Sequence, residues 1–205
     1  MRTTTTLRIG ALAAGLLIAG GVATAAAADE QHGTDDVQIN VVVPESEGGL
    51  LAMTVAAPSV TLEENGSDEL VRQFTGTLPT VTVTDTRDAD EIADGAAWYV
   101  LGSATDFTTE DGTKSIGAEY LGWVPELLTE SDSGLVQEGD PTASKIDGVE
   151  DEEGLVDTEL LASTFDSSAV ATEGSWSANA ELRLRAPATI EAGEYSSTLT
   201  LSLFE

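Results

Sequence analysis

The 205 residues include no cysteine, which excludes a disulfide framework, a thiol nucleophile, an iron–sulfur cluster and a cysteine-ligated zinc. Histidine is almost as scarce. His32 is the single one, so multi-histidine metal sites go too, and its polar setting near the start offers no fixed base for a Ser-His-Asp arrangement. Basic residues number 8 against 37 acidic ones, a net charge of −29 that would repel a nucleic acid. What remains is ordinary: hydrophobic residues make up 41%, near the globular average and above what acidic disordered chains carry.

The start has a recognisable layout. Met1 to Arg8 is short and basic, Ile9 to Val22 is rich in Gly, Ala and Leu, and Ala23 to Ala28 supplies small residues before the switch to Asp29-Glu30. That order reads as a cleaved secretory signal. A membrane anchor is the alternative, but the apolar stretch falls short of the ~20 residues needed to span a bilayer. Removing Arg2 and Arg8 with the signal takes the net charge from −29 to about −31. The predicted division is a signal over 1–28, an acidic flexible leader over 29–36 and one domain over 37–205.

Within that domain the pattern is mostly strand. Val37 to Val43 and Leu50 to Ala57 are β-branched runs, each closed by a proline. Thr80 to Asp85 alternates with period two, and Trp98 to Leu101 is bulky and β-branched. From Trp176, one parity holds Trp176, Ala178, Ala180, Leu182 and Leu184, the other Asn179, Glu181, Arg183 and Arg185, which is a half-buried strand. Tyr195 to Leu203 repeats the alternation, and the turn-rich Pro187 to Glu194 between them predicts an antiparallel hairpin. Asp68 to Phe74 and Leu155 to Ala162 are too short to assign. Residues 130–154 hold nine acidic residues and only Lys145 as counter-charge, so they read as a solvated acidic loop contributing little burial. Asn65-Gly66-Ser67 reads as a turn. The expected fold class is all-β, a single antiparallel β-sandwich or barrel-like domain with an acidic loop insertion.

Chemistry is harder to find. The abundance of carboxylates makes any one glycosidase-like pair uninformative. Asp85 to Gly95 is oxygen-rich but does not fit the EF-hand pattern, and no metal site, cofactor or catalytic residue is expected. The tryptophans are the informative residues, because aromatic faces stack on sugar rings. Trp176 shares the parity of Leu182 and Leu184 and reads as core. Trp98 fits either role, and Trp123, between Gly122 and Pro125, reads as the exposed one. With their neighbours Tyr99 and Tyr120, Trp98 and Trp123 form the candidate ligand-binding set.

The blocks Val81-Thr82-Val83-Thr84-Asp85-Thr86-Arg87, Trp98, Asp106-Phe107, Ile116 to Leu121, and Ala192-Gly193-Glu194-Tyr195 before Leu199-Thr200-Leu201 resemble, in that order, the WxL domain of Gram-positive surface proteins. The likeness runs from about Leu51 to Leu203. The first motif stands as Trp98-Tyr99-Val100 and the second as Leu199-Thr200-Leu201, with leucine at the tryptophan position. The resemblance implies a secreted, non-catalytic β-sandwich at the cell wall or cell surface that binds peptidoglycan non-covalently, beside a membrane-anchored WxL-interacting partner. It implies no nucleic-acid ligand and no integral membrane protein. A β-rich subunit that binds partner proteins through sheet edges is the alternative, and a small glycosidase a third.

Overall fold

The computed structural model describes residues 48–149 and 153–205; the signal, the leader and the run at residues 37–43 lie outside them. Its elements are β1 (Leu51–Val55), β2 (Glu63–Glu64), β3 (Val71–Thr77), β4 (Val81–Asp85), β5 (Trp98–Ala104), β6 (Phe107–Thr108), β7 (Ser115–Ile116), β8 (Leu121–Leu127), β9 (Val136–Glu138), β10 (Glu159–Thr164), α1 (Ser167–Val170), β11 (Ser175–Pro187) and β12 (Leu199–Phe204). The protein is mostly β, its curled antiparallel sheets forming a half-barrel, as the alternation predicts. Among the described residues no helix is long and apolar enough to cross a membrane.

The first sheet is organised by β11. Trp176, Ala178, Ala180, Leu182, Leu184 and Ala186 are all buried, while the residues between them are exposed or partly so. That is the period-two pattern of a strand with one face on the core. One side of β11 takes β4 and then β3, the other takes β8. β4 and β3 are one line broken at Leu78-Pro79, where proline has no N–H to give a ladder. β1 and β2 lie outside them as the edge. Gly66, at φ +85°, makes the turn between β2 and β3 that Asn65-Gly66-Ser67 predicts.

The second sheet runs β12, β5, β10, β9. The predicted hairpin is therefore corrected: β12 pairs with β5 and not with β11. Alternation shows that each strand has one buried face, but is silent about its partner. The connector after Pro187 crosses between the sheets, bridging to β6 through Thr108 and Ser196. Of the two unassigned stretches, residues 71–74 fall in β3 and 159–162 in β10, while Leu155 and Val156 form a short 3-10 turn.

The acidic segment is corrected as well. Val136 is buried in β9, which pairs with β10, and Thr142 exchanges backbone hydrogen bonds of 2.9 and 3.0 Å with Trp123 on β8. Residues 136–142 thus pass from one sheet to the other and close that side of the sandwich. A Cβ at Gly122 would stand 2.5 Å from the Thr142 carbonyl oxygen, so only glycine allows the approach. Ser144 and Asp147 form a capping box, and Asp147 ion-pairs with Arg185 of β11. Glu138 and Asp140 face water while Val136 and Thr142 on either side of them are buried and build the wall.

Candidate functional site

The sequence-predicted aromatics do not form one surface. Trp98 is 1% exposed and Trp123 0%. Their indole N–H groups have no partner among the described residues, unlike those of most buried tryptophans. The Trp98 ring tilts against Trp176 at 5.3 Å between centroids. Trp123 lies in the core because β8 is a regular strand: Leu121, Trp123 and Pro125 share its buried parity. Pro125 is tolerated since β8 pairs on that stretch only with β11, leaving an outer edge where no N–H is needed. The ring reaches across the sandwich to Gly102 on β5, where a Cβ would stand 2.5 Å from Trp123 Cη2. The expectation of an exposed Trp123 is thus overturned by a partner glycine far away in sequence. Tyr120 is half-buried, packed on the same core.

Tyr99 alone of the four faces outward. It is 38% exposed and stacks on Phe204 of β12, itself 44% exposed, at 5.4 Å and 19° between ring planes. Register explains the pair, because Phe204 is directly opposite Tyr99 in the antiparallel ladder.

Asp85 does not serve a cation. Its carboxylate is buried and takes two hydrogen bonds from its neighbour's guanidinium, Arg87 Nε to Oδ1 at 2.9 Å and Nη2 to Oδ2 at 2.7 Å. Burial pushes this carboxyl up, but the Arg87 bonds outweigh it and hold it below the usual range. Arg87 also reaches Glu205, just past β12, at 2.7 Å, tying the ends of the two sheets together. Among the described residues no group of three His, Cys, Asp or Glu could hold a metal ion.

A second buried-edge carboxylate latches the wall. Glu173 accepts from Trp176 Nε1 at 2.8 Å, from Ser131 Oγ at 2.9 Å and from the Ser133 N–H at 3.0 Å. Partial burial raises this acid, but the donors lower it further, to about 2.

The feature that residue-by-residue reading misses is a groove. On the side opposite the wall, the first sheet ends in β1 and β2 and the second in β12, and these edges do not pair with each other. Between them runs a cleft of about 880 Å³, lined by Met53, Phe74, Leu182, Leu184, Leu199 and Leu201 among others. This is the size of a ligand or peptide site. The β6–β7 hairpin contributes Phe107 and Ile116 at one end, and the Arg87–Glu205 pair stands at the other end of β12. Among the described residues the arrangement offers apolar surface bounded by two unpaired strand edges, and no assembled set of acid, base and nucleophile. The available signal was the half-burial of edge strands, which needs the topology to interpret. Compared with family models, with curated proteins and with solved structures, the chain matches none.

Proposed function

We propose that this protein is a secreted, non-catalytic surface domain that works by binding an extended segment of another protein in the open side of its sandwich. The observation that carries this reading is the apolar groove of about 880 Å³ lying between strand edges that are unpaired among the described residues. Apolar surface of that extent beside free backbone donors and acceptors is the recurrent setting for strand addition. The WxL resemblance supports the surface location and the company of other surface proteins. It lends less to direct glycan stacking, since Trp98, the residue carried over from the first motif, is packed in the core. The test is size-exclusion chromatography of the secreted protein with the surface proteins encoded beside it. Co-elution that is lost when the groove is filled by Ala57→Trp supports the reading; co-elution unchanged by that substitution removes it.

The exposed Tyr99–Phe204 pair favours a second reading, direct attachment to wall peptidoglycan through stacking on sugar rings. Sedimentation with purified peptidoglycan that falls with Tyr99→Ala, at unchanged melting temperature, would place the ligand there.

A further inference from the structure

We infer that the occupant of the groove is a partner's β-strand with basic residues at its ends, added to the free edge of β12; this rests on the partner-binding reading above. The ladder identifies which groups are on offer. Thr105 N–H donates to the Thr198 carbonyl at 3.0 Å, and Thr198 and Thr105 are in register with the β12–β5 pairs. In an antiparallel ladder bonded and non-bonded pairs alternate, so Thr200, Ser202 and Phe204 bond to β5. Leu199, Leu201 and Leu203 therefore aim both backbone groups at the open edge, while their side chains pack on the core. An added strand would satisfy these groups and send alternate side chains into the cleft beside Leu199 and Leu201, opposite Met53 and Phe74.

Charge selects the ends of that strand. The cations nearest the groove are already engaged, Arg72 by Glu64 at 2.7 Å and Lys114 by Glu191 at 3.4 Å and the Ala192 carbonyl at 2.7 Å. Glu191 is the one acidic side chain in the groove lining, Glu63 and Glu194 are exposed one residue along the chain from the lining residues Leu62 and Gly193, and the whole chain carries −29. A fatty acid or other anionic amphiphile of the right size would be repelled, as would a second copy of this chain, whereas lysine or arginine flanking an apolar strand is attracted.

The probe is a short synthetic peptide of alternating valine and threonine with a lysine pair at each end, titrated into the full secreted chain. The expected result is saturable binding that perturbs the amide signals of Leu199, Leu201 and Leu203. The same peptide ended in glutamates should bind at least about tenfold more weakly at low salt, a gap that closes as salt screens the rim. Ala57→Trp, at an exposed position on the groove wall, should abolish binding without lowering the melting temperature. Equal binding of the two peptides, or binding indifferent to Ala57→Trp, overturns the inference. So does a concentration-dependent dimer abolished by Ala57→Trp, which would give the groove to a second copy, or a copy of Val37 to Val43 added in trans that out-competes the lysine peptide. If both peptides fail while Ala57→Trp still releases a co-eluting surface protein, the strand occupant is wrong and the partner-binding reading stands. If Ala57→Trp changes neither, both fall.

Discussion

The two sides of this sandwich are bounded by similar strand edges and finished in opposite ways. On one side, β8 and β9 are joined by the chain itself, with Thr142 paired to Trp123 and Glu173 gathering donors from Ser131, Ser133 and Trp176. On the other, β12 faces β1 and β2 across a cleft. The first side is built from chain that carries the exposed carboxylates Glu138 and Asp140, and the second is lined by apolar side chains such as Leu199 and Leu201. Closure here is set by which backbone can reach across, and local polarity does not report it.

The largest effect should come from removing the wall. Deleting residues 137–153 takes out most of β9 and the Thr142 bridge, and the expected outcome is loss of the cooperative thermal transition, a cost comparable to the ~5–15 kcal/mol that stabilises a domain. A deletion that melts like the parent would return this segment to a solvated loop. Next comes a pair of core substitutions compared across the two sides. Trp123→Ala should cost about 3–5 kcal/mol in denaturant unfolding, because the ring fills a slot cut for it at Gly102. Leu201→Ala, on the half-buried β12, should cost only about 1–2 kcal/mol. Equal losses would mean that the groove is as well packed as the wall.

The Glu173 latch gives a smaller effect with a pH signature. Its folded value, about 2, lies below the ordinary glutamate value, so its stabilisation is complete above about pH 4.5 and is lost as pH falls toward 2. Glu173→Gln should cost about 1 kcal/mol near neutrality and flatten that part of the acid-denaturation curve. An unchanged acid limb would show that the donors do not hold the carboxylate in solution. The smallest expected change is on the open side: removing the exposed Arg72–Glu64 pair by Arg72→Ala should barely shift the denaturant midpoint, because solvent and salt screen such a pair. A larger loss would mean that the groove rim helps hold the sandwich together.

The strands were legible where burial is a local pattern. Val81 and Val83 on β4, and the run from Trp176 on β11, declare their inward face through alternation, and both are buried as that pattern requires. Partnership was not legible. Nothing around Tyr195 to Leu203 says that β12 belongs to β5, because the choice is made by side chains of the opposite sheet. Trp123 escapes for the same reason: Gly122 and Pro125 carry turn signals, and the facts that override them, the slot at Gly102 and the strand pairing of β8 with β11 and with Thr142, lie elsewhere. The candidate site suffered most, since a groove is a property of two edges and no single residue announces it.

Burying all three tryptophans also equips the molecule with an optical readout. Indoles shielded from water emit toward the blue and resist collisional quenching by iodide, so the intact sandwich reports its own integrity without a label. Trp98 and Trp176, at 5.3 Å, are close enough for their electronic transitions to couple, which gives a paired circular dichroism band that vanishes if the sheets separate. Trp123 stands apart from that pair: its ring and Leu201 both crowd the position of Gly102, so light absorbed there senses the back of the open side while the coupled pair senses the core.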